Sequence, residues 1–470
     1  MNHCATVLDG FIPCLDGLPA PLAAVGSDFL MFEAALERQA AAALDWLAGL
    51  PWPVLDQGIS AFVFYYPLFM AYAWMIGAGI FYLRWERPQH RAGRRVPDLP
   101  QQPPVSILIP CYNEGATLHE TLGYLRRLDY PHYEIIAIND GSRDNTLAIL
   151  EALALDFPAL RVLNLASNQG KAVALRTAAL LANSEYLICI DGDALLDPDA
   201  IPWLLRHFLD DPRVGAVTGN PRIRTRSTLL GKLQVGEFSA IIGLIKRAQR
   251  VYGRIFTVSG VIAAFRRSAL HRVGYWSPDM VTEDIDISWK LQLDGWQLRY
   301  EPRALCWVLM PETLAGLWRQ RVRWAQGGAE VLLRYGRSVW RWSARRLWPI
   351  YLECLAGYVW AHLMVLALLG WALHPSRDFW DALVPDWTGM LLSVTCLAQF
   401  AVSMAIDARY EAYGNGQPGR YYYWMIWYPL AYWLINVGTT VAGMARALRK
   451  RRGQRAVWVT LDRGVFKRDD

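Results

Sequence analysis

The apolar positions of this chain fall into two textures. From Ile59 to Leu83 the run ISAFVFYYPLFMAYAWMIGAGIFYL carries no charged residue, and it exceeds the roughly 20 residues a helix needs to cross a bilayer core. Three more apolar stretches, 347–373, 388–406 and 423–444, lie near the C-terminus. Between these regions, from about Pro97 to Arg337, the texture changes. VSILIP, EIIAIND, RVLNLA, YLICIDGD and VGAVTGN are short strand-like runs, separated by helical patterns such as Asn145–Leu155 and Lys171–Leu181. Strands alternating with helices at this spacing predict βαβ units and an α/β domain with a mostly parallel sheet.

Charge orients this arrangement. RWERPQHRAGRR, directly after the first apolar run, holds Arg84, Arg87, Arg91, Arg94 and Arg95. The positive-inside rule makes that flank cytoplasmic and the first 58 residues non-cytoplasmic. Residues 28–50 read as a helix without a functional motif. Three spans after the cytosolic region would leave the C-terminus outside. Yet the tail 445–470 opens with ARALRKRRGQR, which favours the inside. Residues 423–444, with Pro429, Gly438 and Gly443, are the stretch expected to be re-entrant or to double back.

Composition agrees with a membrane setting. The chain is 54% hydrophobic and 19% charged, with 22 Trp beside 22 Tyr, and membrane–water interfaces favour these rings. Residues 313–346 combine basic and aromatic side chains; from Leu317 to Trp348 there are eight Arg, one Glu and five Trp. Immediately before an apolar span this predicts amphipathic helices in the headgroup layer rather than a nucleic-acid surface. The seven Cys are never spaced as CxxC, so neither a disulfide framework nor a structural zinc site is expected. Glu353 and His362, inside the first C-terminal apolar stretch, fit either channel-lining or snorkelling roles.

In a parallel α/β sheet, ligands bind beyond the carboxyl ends of the strands. Those ends carry Cys111-Tyr112-Asn113-Glu114, Asn139-Asp140-Gly141-Ser142, Asn168-Gln169-Gly170-Lys171 and Asp191-Gly192-Asp193. No GxGxxG follows the first strand and no P-loop GxxxxGK[ST] occurs anywhere, which disfavours dinucleotide and P-loop binding. Two carboxylates one residue apart suit a hard divalent cation shared with substrate phosphates, although Asp-Gly-Asp is also ordinary turn chemistry. Thr282-Glu283-Asp284, ahead of Ile285, Ile287 and Leu291, reads as an N-cap and an acidic first turn that would keep an Asp pKa low. Gln320, Arg323 and Trp324 share one helix face.

In order along the chain, Asp140, Asp191-Gly192-Asp193, Thr282-Glu283-Asp284 and Gln320-Arg321-Val322-Arg323-Trp324 match D, DxD, (T/E)ED and QxxRW. The chain therefore resembles the processive family 2 glycosyltransferases, inverting membrane synthases of polysaccharides such as cellulose, chitin and hyaluronan. Within them, VTGNPRIRTRSTLLGKLQVGEFS, FTVSGVIAAFRRSAL and YEPRALCWVLMPETLAGLWRQRVRWAQGGAEVL are most similar to the bacterial synthases of β-1,6-linked poly-N-acetylglucosamine.

The resemblance implies a GT-A-type, Rossmann-like domain over 97–312, facing the cytosol from a bacterial inner membrane. It implies Tyr112, Glu114, Asp140, Lys171 and Asp191 around a UDP-N-acetylglucosamine donor. Asp193 is implied as the ligand of Mg²⁺ or Mn²⁺, and Asp284 as the general base. Glu283, Gln320, Arg323 and Trp324 are implied near the diphosphate and the growing polysaccharide. A small membrane partner subunit is implied as well, and any response to cyclic-di-GMP would need such a partner. The cellulose-type gating loop FxVTxK is absent. The alternatives are another membrane β-glycan synthase, or a non-catalytic protein that only binds a nucleotide sugar.

Overall fold

The computed structural model describes residue 38 and residues 52–91, 96–373, 386–407, 410, 428–451 and 453–456. The expected helix over 28–50, apart from helical Arg38, lies outside the described residues, as do Cys4 and Cys14. Two compact units divide the chain at residues 61 and 62. In the first unit the described part is Arg38 and the opening turns of helix α1 (Trp52–Phe81).

The second unit begins within α1, which passes through a π-helical segment, Tyr82–Glu86, into α2 (Arg87–Arg91). Then follow β1 (Val105–Cys111), α3 (Leu118–Leu125), β2 (Tyr133–Asp140), α4 (Thr146–Leu155) and β3 (Leu160–Leu165). Next come α5 (Lys171–Leu181), β4 (Tyr186–Ile190), β5 (Leu195–Leu196), α6 (Ala200–Asp210) and β6 (Val214–Ile223). All five strand-like runs of the sequence are strands, and α5 has the expected bounds.

The eight strands form one sheet in the order β3-β2-β1-β4-β7-β6-β8-β5, where β7 is Ile262–Arg266 and β8 is Gln297–Val308. β3, β2, β1 and β4 pair in parallel, as do β6 and β8; β7 is antiparallel to both its neighbours, and β5 to β8. All seven residues of β1 are buried, as a strand covered on both faces requires. Leu118, Leu122, Leu204 and Phe208 pack one face of the sheet; Leu175, Ala178, Leu270 and Ile287 pack the other.

Helices α7 (Leu229–Glu237) and α8 (Leu244–Tyr252) join through a π-helical segment, Phe238–Gly243. They are followed by α9 (Arg267–Arg272), α10 (Glu283–Leu293), α11 (Leu314–Val339), α12 (Trp348–Leu373), α13 (Asp386–Asp407) and α14 (Tyr428–Arg449). Among the described residues, three helical stretches are long and apolar enough to cross a membrane: Gln57–Gln89, Trp342–Leu369 and Met390–Asp407. The apolar stretch expected at 423–444 is not among them: its described part forms α14, whose Asn436, Thr439, Thr440, Arg446 and Arg449 lower its hydropathy. α14 lies against α11, with Gly443 so near Ala325 that an added Cβ would approach its Cβ to 2.7 Å.

A buried charge cluster ties the sheet to these helices. Arg247 on α8 pairs with Glu86 at 2.6 Å and Asp407 at 2.8 Å, and Arg222 on β6 pairs with Asp407 at 2.8 Å. Breaking one member of such a set leaves an uncompensated buried charge, a loss of about 3–5 kcal/mol. After α14 the chain returns to the sheet domain: Lys450 pairs with Glu330 at 3.0 Å, and Arg455 donates to Gln169 Oε1 at 2.7 Å.

Candidate active site

Four loops meet beyond the carboxyl ends of β1, β2, β3 and β4. The first two interlock through Asn113, whose amide donates to Ser142 Oγ at 3.0 Å while its Oδ1 accepts from the Arg143 amide at 2.8 Å. Asn113 holds φ 55°, a left-handed conformation that Asn tolerates. Asp140, at the end of β2, accepts from the amides of Gln169 at 2.8 Å and Gly170 at 2.9 Å. It thereby fixes the loop that leads into Lys171. Burial nevertheless raises its pKa, against those two hydrogen bonds. Glu114 is buried under the Asp191-Gly192-Asp193 turn, and Thr121 Oγ1 pins that turn by donating to Gly192 O at 2.9 Å.

Lys171 brings three segments together. Its Nζ lies 2.6 Å from Asp191 Oδ1 and 3.0 Å from Glu283 Oε1, and donates to Gly260 O at 3.2 Å. Asp284, next to Glu283 on α10, accepts from the Gly260 amide through Oδ2 at 3.1 Å and from the Ile285 amide through Oδ1 at 3.0 Å. Lys171, Asp191, Asp193, Glu283 and Asp284 all border one cavity of about 500 Å³. Gln320, Arg323 and Trp324 border it from α11, so the helix face read from the sequence is the face turned inward. Gln320 Oε1 and Arg323 Nε are buried without a hydrogen-bond partner among the described residues. Buried polar atoms are seldom left so, and here they point to a bound ligand. Tyr112, Glu114 and Asp140 do not border this cavity; Tyr112 and Glu114 lie in the adjoining loop and Asp140 at the end of β2.

A profile of the glycosyltransferase-like family 2 matches residues 103–327. Poly-β-1,6-N-acetyl-D-glucosamine synthase of Staphylococcus epidermidis is 39% identical over 412 residues, covering 87% of this chain and 99% of the relative. The synthase of the same name from Staphylococcus aureus strain COL is 39% identical over 414 residues, with the same coverage of both chains. Among solved structures, a mannosyltransferase from Pyrobaculum calidifontis in complex with GDP-mannose and Mn²⁺ superposes with a TM-score of 0.55. At 21% identity it covers 83% of this chain and 99% of its own. This chain belongs to the family 2 glycosyltransferases. Its fold is the GT-A fold.

Electrostatics in this glycosyltransferase correct one expectation. An Asp at a helix start was expected to have a low pKa. Burial instead pushes Asp284 up to about 6; Glu283 adds to the rise, and Lys171 opposes it. Desolvation outweighs the helix end because the charged form has lost its water. Glu283 goes the other way: burial would raise it, but Lys171 holds it below the usual carboxylate range. Burial would likewise lower Lys171, but Asp191 and Glu283 raise it. Burial raises Asp191, and Asp193 adds to this against the pull of Lys171.

Thr282 occupies the N-cap position of α10 without making a side-chain cap. Its side chain is wedged against Gly327 of α11, where a Cβ would overlap it, so the acidic turn and the QxxRW helix pack in direct contact. Asp286, also in the first turn of α10, is fully buried and accepts from Tyr335 OH at 2.6 Å.

The enzyme's other cavity-lining groups carried little sequence signal. Glu353 borders the cavity and accepts from Trp74 Nε1 at 3.0 Å and Gln249 Nε2 at 3.3 Å. His362 does not border it; its Nδ1 lies 2.8 Å from Tyr358 O. Gly260 lay within a family-like stretch, but nothing in its residue type marked it as the clamp on Asp284. Among the described residues no three His, Cys, Asp or Glu side chains cluster as a self-sufficient metal site. Asp191 and Asp193 on one turn supply hard oxygen donors, which fits an ion whose remaining ligands come from a substrate diphosphate.

Proposed function

We propose that this glycosyltransferase polymerises N-acetylglucosamine from UDP-N-acetylglucosamine into a β-1,6-linked polysaccharide and passes the growing chain between its apolar helices. The observation that carries the reading is the shared cavity. It runs from Asp193, Asp284 and Trp324 to Tyr66, Trp74 and Glu353 at the helices. A sugar joined at Asp284 therefore has a polar and aromatic route onward. The synthases named above support the sugar and the linkage.

In this reading Asp284 accepts the proton of the acceptor hydroxyl as that oxygen attacks the anomeric carbon, and the Gly260 amide orients the carboxylate. A pKa of about 6 suits a base that is ionised at neutral pH and still basic enough to receive a proton. Tyr112, Glu114 and Asp140 line the uridine side, with Lys171 and Asp191 next to the diphosphate. Asp193, with Asp191 beside it, holds the divalent ion, Mg²⁺ or Mn²⁺. When bound, that ion supplies neutralising charge for the leaving diphosphate. Glu283 positions Lys171, while Arg323 Nε offers a donor to the diphosphate, Gln320 Oε1 an acceptor to a sugar hydroxyl and Trp324 a flat surface to the acceptor ring. The enzyme is multi-pass in a bacterial inner membrane, with the sheet domain in the cytosol.

The test is synthesis from a panel of radiolabelled UDP-sugars by purified enzyme, with the product digested by linkage-specific hydrolases. UDP-N-acetylglucosamine should give a polymer cleaved only by a β-1,6-specific hydrolase. Asp284→Asn should bind UDP normally and lose about 10²–10⁴ in rate. Polymer from another UDP-sugar alone, or a rate within tenfold of wild type in Asp284→Asn, refutes the reading.

A further inference from the structure

Helix α8 carries two consecutive cations into the interior, and they meet opposite surroundings. Arg247 is flanked by Glu86 and Asp407. Lys246, only 6% exposed, has no carboxylate partner among the described residues. Its ammonium donates one hydrogen bond, to Thr218 Oγ1 at 3.3 Å, and lies 5.9 Å from the Tyr300 ring centroid. An ammonium has three donors and no acceptor, so two N–H groups are uncommitted. Burying a cation without a partner is costly. Such a group needs something else to hold, and Lys246 borders the same cavity as Asp284.

The backbone also links the two residues. The Ser259 amide donates to Thr218 Oγ1 at 2.8 Å, and the next amide, Gly260, donates to Asp284 Oδ2 at 3.1 Å. Consecutive peptide groups thus hold the partner of Lys246 and the carboxylate of Asp284. Burial brings Lys246 down to about 8, with Asp284 opposing the fall, so at neutral pH it is still a charged donor.

We propose that Lys246 is a sugar-binding residue whose ammonium donates to the acetamido carbonyl of the acceptor unit held against Asp284. This rests on the reading that the acceptor is an N-acetylglucosamine chain. The chemistry selects that group. A carbonyl oxygen only accepts, which matches a side chain that only donates, and the hydrogen bond is charge-assisted. An acceptor that has lost its acetyl group presents an ammonium instead, which Lys246 repels. Lys246 is therefore a specificity-determining residue for N-acetylated acceptors.

The test uses purified full-length enzyme with saturating UDP-N-acetylglucosamine and added β-1,6-linked oligosaccharide, either N-acetylated or de-N-acetylated. UDP release is measured for wild type, Lys246→Met and Lys246→Arg, with UDP affinity measured in parallel. Wild type should use the N-acetylated oligosaccharide and discriminate against the other. Lys246→Met should raise the acceptor KM tenfold or more and narrow that discrimination, with UDP affinity within twofold of wild type. Lys246→Arg, which keeps the charge and donors, should recover part of the loss. If Lys246→Met binds no UDP because it fails to fold, Lys246→Gln must show the same rise in acceptor KM.

Three results overturn the proposal: an unchanged acceptor KM, a parallel loss of UDP affinity, or no preference between oligosaccharides in wild type. A wild type that makes no polymer from UDP-N-acetylglucosamine defeats the parent reading instead, which separates the two failures.

Discussion

Lys171 Nζ stands 2.6 Å from Asp191 Oδ1, so the first carboxylate of the Asp191-Gly192-Asp193 turn is already half committed to a protein cation. A divalent ion at this turn competes with Lys171 for Asp191. With Asp193 proposed as the metal ligand, the two carboxylates should differ in their metal dependence. Chelation with EDTA should abolish synthesis, and Mg²⁺ or Mn²⁺ should restore it. Asp193→Ala should stay inactive at any metal concentration, whereas Asp191→Asn should regain part of its rate as metal is raised. Full activity in EDTA, or equal rescue of both variants, would contradict this division, and a metal titration of synthesis rate reads it directly.

The pH dependence follows from two buried groups. Asp284, raised to about 6 by burial and by Glu283 against Lys171 and Arg323, works only when ionised. Activity should therefore fall as pH drops through about 6. Lys246, lowered by burial to about 8 and facing Asp284 and the Tyr300 ring, donates with full charge only when protonated. Activity should then fall again as pH rises through about 8. A plot of kcat/KM against pH should be bell-shaped, and Lys246→Met should remove the alkaline limb while keeping the acid one. An acid limb at the ordinary Asp value, near 4, would count against Asp284 as the base.

Much of this site could be read from the chain because strand ends are where polar residues interrupt apolar runs. Asp140, Lys171 and Asp191 each follow such a run, and the four family-like motifs fall in order. The spacing of Gln320, Arg323 and Trp324 likewise gave their common face, since helical periodicity is a local property. β7 and β8 were harder: β7 is only Ile262–Arg266, and β8 is broken by Glu301, Pro302 and Arg303. The pKa of Asp284 was misjudged for a related reason. The helix-end effect is visible in sequence, whereas burial depends on α11 and the Val258–Gly260 loop closing over the turn. Lys246 and Glu353 likewise acquire their setting only from distant elements.

The fate of the C-terminus follows from α14. The sequence left a conflict between three late apolar stretches and a basic tail. Among the described residues, α12 and α13 are the late helices apolar and long enough to cross, and two such crossings would return the chain to the side of the sheet domain. The contacts of Lys450 with Glu330 and of Arg455 with Gln169 require that same side. A reporter fused after Arg455 and one inserted within 97–104 should both read cytoplasmic. Opposite readings would mean that α14 crosses as well.

Trp324 decides between anchoring and catalysis for the QxxRW helix. The Arg321 guanidinium lies 4.2 Å from its ring centroid and is itself fixed by Glu237 at 2.8 Å, so the indole is oriented by a buried ion pair. It borders the cavity and packs against the sheet core, whereas Trp340 and Trp342, farther along, are mostly exposed and suit an interface. An oriented indole beside the base can hold a sugar ring by its C–H face. Trp324→Ala should therefore cut polymer yield about tenfold or more, a loss of ~1.4 kcal/mol or greater in transition-state binding. UDP affinity should stay near normal, and slow hydrolysis of UDP-N-acetylglucosamine should persist because water still reaches the donor. Trp340→Ala should leave the yield per folded molecule unchanged. An anchoring role for Trp324 predicts the reverse pattern: less protein in the membrane and normal specific activity in what remains. Measuring UDP binding, polymer yield and membrane protein level on the two variants separates these outcomes, and normal yield in Trp324→Ala eliminates the acceptor role.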